Sequence, residues 1–329
     1  MKNIEKYRKE DADASSPFSR LPDEIILQII NKLIDLKTLG FCYLVSKRFS
    51  SIVLQVDAIS FTVPFIDPNV PDKNTVDDVA ASRPFPPMVS SFFGVSFLSA
   101  YTFLSKFKGV KSLCIQLASF GHRAIENRCL FKWKVKCGNR IESFMFLSPH
   151  SVYDKDGLSL SGNGDGEEEN LVNHGMFRRN FEISLQCLED VIAWHIMLMD
   201  IVKDLPMLEE VSITDSGRRG RLSLSGEKLI EVKEWVNSAS KAEFNRVEVP
   251  TVMSNGYIPL LKLPVSGYVM KGIYFGVMKM KDLEGGNDGL MKIEDASEDK
   301  EEAAYTEAVM EILEKHMGMT LTLVDGVLV

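Results

Sequence analysis

Apolar residues recur at helical spacing through Ile25, Ile26, Ile29, Ile30 and Leu33. Pro22 stands where the first helical residue can lack an N–H at no cost. Asp23 and Glu24 follow and place negative charge at the positive end of the helix dipole. Asp35 is a candidate cap for a second helix carrying Leu36, Leu39, Cys42 and Tyr43. Ser46 is one for a third, with Phe49, Ile52 and Val53 on its inner face. The stretch from Phe18 to Val53 thus predicts three short helices. Segments of this size seldom build a sufficient core alone, and the apolar residues wrap more than one side of the first helix. Some of them are therefore expected at an interface. A plain helical cap on the domain that follows is the other reading of the same pattern.

After this unit the period changes from helical to alternating. Val56, Ile59, Phe61 and Val63 give an apolar lead-in, two spacers and then strict alternation. The template returns as Val110, Leu113, Ile115 and Leu117, as Ile141, Phe144 and Phe146, and as Leu208, Val211 and Ile213. It matches the strand portion of a leucine-rich repeat, but the intervals are unequal and longer than the roughly 20 to 29 residues of that repeat. Helices are predicted between the copies at Phe97 to Phe107 and Leu185 to Leu205. Strands alternating with helices predict a parallel sheet with crossover helices. Further strands are predicted at Leu222 to Leu224, Arg246 to Val249 and Gly272 to Val277, and helices at Glu227 to Asn237 and Tyr305 to Lys315. Asp-Gly between apolar runs in Leu321 to Val329 is a hairpin signal. Residues 1–16 are charged and aperiodic, which predicts disorder. Loops are expected at 67–87, 154–173 and 281–302.

Composition narrows the class. The 329 residues are 45% hydrophobic, ample for a real core. A net charge of −8 argues against a general nucleic-acid binder. Five scattered cysteines, with no C-x-x-C pair, fit buried thiols in a reducing compartment. There is no apolar signal core and no run of about 18 apolar residues. A soluble protein of nucleus and cytoplasm is expected, with no membrane partner.

The first stretch resembles the F-box. The match lies in Leu21-Pro22-Asp23-Glu24-Ile25, Ile29-Ile30-x-x-Leu33, Leu36 with Leu39, and the close Leu44-Val45-Ser46-Lys47-Arg48-Phe49. Phe49 stands where the family often has Trp, and Ile34 occupies a linker position that is usually polar. The resemblance implies docking on a Skp-type adaptor, and on a cullin through it, by Leu21, Pro22, Ile25, Ile29, Leu33 and Leu39, with Val45 and Phe49 completing the packing. It implies the substrate-recognition subunit of a Skp–cullin–F-box ubiquitin ligase. Such a subunit recruits a target protein for ubiquitination and proteasomal degradation and is not itself catalytic. The tract from Leu98 to Val277 is similar to the auxin-up-regulated F-box proteins of plants, through Leu130 to Lys134, Leu205 to Leu208 and Ile258 to Pro264. The expected fold is α/β: a disordered 1–16, a three-helix F-box at 17–55, and an irregular leucine-rich-repeat-like α/β domain at 56–329 with a largely parallel sheet.

Chemistry-bearing motifs are sparse. The five histidines lack metal-ligand spacing, so no metal or cofactor is expected. The Gly162-x-Gly164-x-Gly166 run has neither a preceding strand nor a phosphate-binding lysine. No nucleophile elbow is present. One polar constellation is unusual: Lys132, Lys134 and Lys136 alternate with Phe131, Trp133, Val135 and Cys137. On a strand this puts three lysines on one face. They are either a solvated edge that discourages aggregation or a basic patch, with Trp133 beside it, for an acidic target segment. Stacking of nucleic acid on Trp133 is the remaining reading. Two other functions stay open: a scaffold that binds the adaptor outside a ligase, and a ligand-binding α/β protein.

Overall fold

The computed structural model describes residues 17–63, 97–117, 130–162, 174–215, 217, 219–244, 246–283 and 300–315. The expectations for 1–16, for the 67–87 loop and for the Leu321 to Val329 hairpin lie outside the described residues.

Three short helices open the chain: α1 (Asp23–Ile30), α2 (Leu36–Tyr43) and α3 (Lys47–Val53). Their starts are set locally. Pro22 occupies the cap position of α1. The Asp35 carboxylate accepts the Thr38 N–H at 2.8 Å and heads α2. The Ser46 hydroxyl accepts the Phe49 N–H at 3.2 Å and heads α3. Ile26, Ile30, Leu36, Leu39, Ile52 and Val53 turn inward.

The core they join belongs to a four-stranded sheet of order β1-β2-β7-β8. Its strands are β1 (Ala58–Thr62), β2 (Ser112–Leu117), β7 (Glu210–Asp215) and β8 (Arg221–Ser225). The first three run parallel, and β8 pairs antiparallel with β7. Three of the four template copies stack here in register. Ile59 pairs with Leu113 and Leu113 with Val211, while Phe61 pairs with Ile115 and Ile115 with Ile213. The lead-ins Val56, Val110 and Leu208 are all buried. The backbone repeats as well: Lys111 and Ser112 donate to the Asp57 carbonyl, and Glu209 and Glu210 to that of Lys111. The fourth copy, Ile141 to Phe146, is elsewhere.

It lies in a second sheet made of β3 (Lys132–Cys137), β4 (Ile141–Ser148), β5 (Ser151–Tyr153), β6 (Ser159–Gly162), β9 (Val252–Lys262) and β10 (Val269–Lys279). Every pairing in it is antiparallel. The expectation of a largely parallel sheet is corrected accordingly: the fold is mixed α/β, and among the described strands only β1, β2 and β7 pair in parallel. The long β10 explains the difference. One of its edges carries β9 along its length, and the other carries β4 and then β5. A hairpin late in the chain thereby holds together strands from its middle.

Two layers cover this second sheet. On one face Phe131, Trp133, Phe144 and Phe146 join the main cluster with the helix α5 (His174–Asp204). Between Ala193 and Val202 that helix is buried nearly all round, as a helix between two layers must be. On the other face Met145, Leu147, Ile273, Phe275 and Val277 pack on α8 (Lys300–Lys315) through Tyr305, Ala308, Val309 and Ile312. Helix α4 (97–104) fills the crossover from β1 to β2. Helices α6 (Gly226–Ser238) and α7 (Lys241–Phe244) follow β8. The predicted strand at Arg246 to Val249 does not form. Within the predicted loops, Ser159–Gly162 is β6, Lys281–Leu283 is a short 3-10 turn and α8 begins at Lys300.

The two sheets meet where the Trp133 N–H donates to the Arg219 carbonyl at 2.9 Å. Gly220 permits this approach, since a Cβ there would stand 2.2 Å from Cδ2 of Trp133. The three-helix unit is tied in too. The Ser60 N–H donates to the Ile34 carbonyl at 2.7 Å, and Asp35 bridges Ser60 in parallel, as a short extra rung beside β1.

Candidate docking face

Helix periodicity says which residues share a side; burial says which side is left over. On α1, Ile26 and Ile30 are buried, and Ile25 and Ile29, one turn apart, are exposed. At the end of α2 and the turn after it, Phe41 is 63% exposed, Leu44 78% and Val45 65%. Phe18 and Ile34 are exposed as well. Seven large apolar side chains thus face solvent on a unit of under 40 residues, far beyond isolated surface apolars. The N-terminal edge is pinned by Arg48. Its guanidinium donates to the Asp23 carboxylate at 2.7 Å and to the Phe18 carbonyl at 3.2 Å, and also reaches the Leu21 carbonyl. Phe18 meets Phe49 edge-on, with ring centroids 5.9 Å apart.

Of the expected docking residues, Pro22, Ile25, Ile29 and Val45 are exposed, and Leu21, Leu33 and Phe49 are half-buried. Leu39 is different. It is 0% exposed, inside the main cluster, and cannot touch a partner. It braces α2 so that Phe41 and Leu44 stand outward. Phe41, Leu44, Ile34 and Phe18 are not among the expected docking residues, yet all four are exposed. The apolar residue count per helix was the available signal, since α1 and α2 hold more than one face can bury.

The lysine strand is not an open basic patch. Lys134 Nζ bonds Glu302 at 2.6 Å and the Thr306 hydroxyl at 2.8 Å. Lys132 lies 3.6 Å from Glu301 and 5.5 Å from the Tyr305 ring centroid. Lys136 pairs with Glu142 at 2.9 Å. Trp133 is buried, with ring centroids 6.0 Å from Phe144 and 5.8 Å from Trp194. The expected substrate-binding set of Lys132, Trp133, Lys134 and Lys136 is therefore corrected. The lysines fasten α8 and β4 to β3, and the tryptophan is core.

Nothing on the described residues assembles a catalytic centre. They hold no cluster of His, Cys, Asp and Glu able to bind a metal. Burial pushes the Cys137 thiol up to about 12, so it stays protonated. His195 is buried with Nε2 2.9 Å from the Gly138 carbonyl, and burial lowers its pKa despite that bond. It is a neutral donor holding the β3–β4 turn. No helix among the described residues is long and apolar enough to cross a membrane.

Residues 18–57 match the family model described as F-box-like. The F-box protein At4g18380 of Arabidopsis thaliana is 27% identical over 311 residues, covering 78% of this chain and 81% of the relative. F-box protein AUF2 from the same plant is 27% identical over 317 residues, covering 90% and 95%. F-box protein AUF1 is 23% identical over 329 residues, covering 92% and 97%. The chain resembles the plant F-box proteins of the auxin-up-regulated group over nearly its whole length. No solved structure matches it significantly.

Proposed function

We propose that this chain is the target-recognition subunit of a Skp–cullin–F-box ubiquitin ligase. The observation that carries the proposal is the exposed apolar set on the F-box-like unit, in a segment whose family generally binds Skp-type adaptors. The docking contacts are Ile25, Ile29, Phe41, Leu44 and Val45, with Leu21, Pro22, Leu33 and Phe49 at the margin. A few such anchors commonly supply most of the binding energy, about 2 kcal/mol or more each at the centre of an interface.

The chain's contribution to catalysis is positional. The helices share one core with β1, β2 and β7, and the Ile34–Ser60 rung leaves no free hinge between them. A target held by the α/β part would be presented at a fixed place relative to the adaptor and the cullin. Tethering raises the effective concentration of a target lysine without any acid, base or nucleophile from this chain. The in-register β1, β2 and β7 units support a degenerate leucine-rich-repeat origin for the first sheet. Cys42, Cys114, Cys137 and Cys187 form no disulfide among the described residues, which suits work in nucleus and cytoplasm.

The test is co-expression with a Skp-type adaptor and a cullin. Elution of all three together supports the ligase role. Elution with adaptor but never cullin makes the chain a scaffold outside a ligase, and elution alone removes the proposal.

A further inference from the structure

A strand at the edge of a sheet carries a row of N–H and C=O groups without partners, and folded proteins ordinarily cover such an edge, shorten it or charge it. Three edges here follow that rule. The Ile34–Ser60 rung runs beside β1. Strand β3 carries Lys132, Lys134 and Lys136 and meets the β8 side through the Trp133–Arg219 bond. Strand β6 is only four residues long. Strand β9 breaks the rule. Its eleven residues pair with β10 along one edge, and among the described residues no strand pairs with the other. No charged residue precedes Lys262 in it.

The uncovered edge is apolar as well. Ile258 and Leu261 point into the cluster under α8, so their neighbours Tyr257 and Leu260 both point away from it. Pro259 stands opposite Gly272, whose φ is 59°, and breaks the alternation between them. Tyr257 is 40% exposed and Leu260 48%. An extended strand laid on this edge would satisfy its N–H and C=O groups and cover both side chains.

We infer that the β9 edge is completed by this chain's own segment 320–324, pairing as an added strand. Thr320, Leu321, Thr322, Leu323 and Val324 alternate and carry no charge, as β9 carries none before Lys262, and Asp325-Gly326 ends the run. Leu321 and Leu323 share one face and supply the apolar cover for Tyr257 and Leu260. The chain delivers the segment to the right place. Ile312 and Leu313, near the end of α8, share a cluster with Ile258 and Leu261 of β9. Residues 316–319 span about 13 Å when extended. So short a tether gives the segment an effective concentration on the order of millimolar. A strand from another protein therefore joins this sheet only by displacing 320–324.

The test is hydrogen exchange of the full chain, read by mass spectrometry. In a bare edge strand only alternate amides are bonded, so about half of the β9 amides exchange freely. The parent should protect both halves. Thr322→Pro with Leu323→Pro removes two adjacent N–H groups, one of which faces β9 in either orientation of the run. It should speed exchange of the outer half at least tenfold and leave β10 and α8 unchanged, while Thr322→Val with Leu323→Ile should exchange like the parent. Free exchange of the outer half in the parent overturns the inference, as does exchange indifferent to the proline pair. Protection that grows with protein concentration overturns it by making the occupant a second copy. Loss of protection across α8 and β10 overturns it by making the segment part of the core. Adaptor binding by the proline pair should equal that of the parent, so the ligase reading stands or falls separately.

Discussion

Removing the charge of Asp200 on α5 should stabilise the protein. It is half-buried, its Oδ2 has no hydrogen-bond partner, and Asp204 follows one turn later. Asp204 is already engaged by the Tyr101 hydroxyl at 2.6 Å, with Lys108 bonded to its backbone carbonyl. Burial, then the charge of Asp204, raises the Asp200 pKa to about 7 from an ordinary 3.8, with Lys203 opposing. If all of that difference counted, the ionised form would cost about 4 kcal/mol. Partial exposure and screening reduce it to about 1–2 kcal/mol. The sign follows from linkage. A carboxyl whose folded pKa is raised binds more protons folded than unfolded, so its penalty grows from about pH 4 up through the folded pKa and is constant above. Asp200→Asn keeps the shape and removes the charge. In urea unfolding it should be more stable than the parent by about 1–2 kcal/mol at pH 8, with less than half that gain by about pH 4. A gain independent of pH, or a loss at pH 8, would refute the reasoning.

Three further outcomes follow from packing. Gly220→Ala must push a Cβ into the Trp133 ring and should cost about 1–3 kcal/mol in urea unfolding. Gly109→Ala, with nothing within 4 Å, should be neutral beside it. Leu39→Ala should cost about 2–5 kcal/mol by the same measurement, because Leu39 is core. Lys134→Met leaves Glu302 and Thr306 without their shared donor and should cost about 1–3 kcal/mol.

What was legible in the sequence was local. Asp35 and Ser46 cap where a carboxylate and a hydroxyl before an apolar run should cap, because capping needs only the next three residues. The strand template was readable at Val56, Val110 and Leu208, because a lead-in and an alternation are both short-range. Its fourth occurrence misled. Ile141 to Phe146 shows the same spacing, yet β4 is covered on both faces and pairs with β10, more than a hundred residues away. Nothing near Ile141 announces that partner. Strand β9 contains Gly256 and Pro259, which weaken a strand pattern; an edge strand tolerates them.

The site divided along the same line. Alternation correctly put Lys132, Lys134 and Lys136 on one face, but Glu301 and Glu302, the counter-charges of Lys132 and Lys134, come from a helix more than 150 residues later. Leu39 and Leu44 are equally apolar in sequence, and only the placement of α2 against β1 decides which is core and which faces water.

Titration of the purified chain with a Skp-type adaptor by calorimetry tests the central claim most directly. The account predicts one-to-one binding by the parent and by Lys134→Met, and loss of at least a hundredfold in affinity in a Leu44→Glu variant that still melts like the parent. Binding unchanged by Leu44→Glu and by Ile29→Glu, or no binding by the parent, would contradict it.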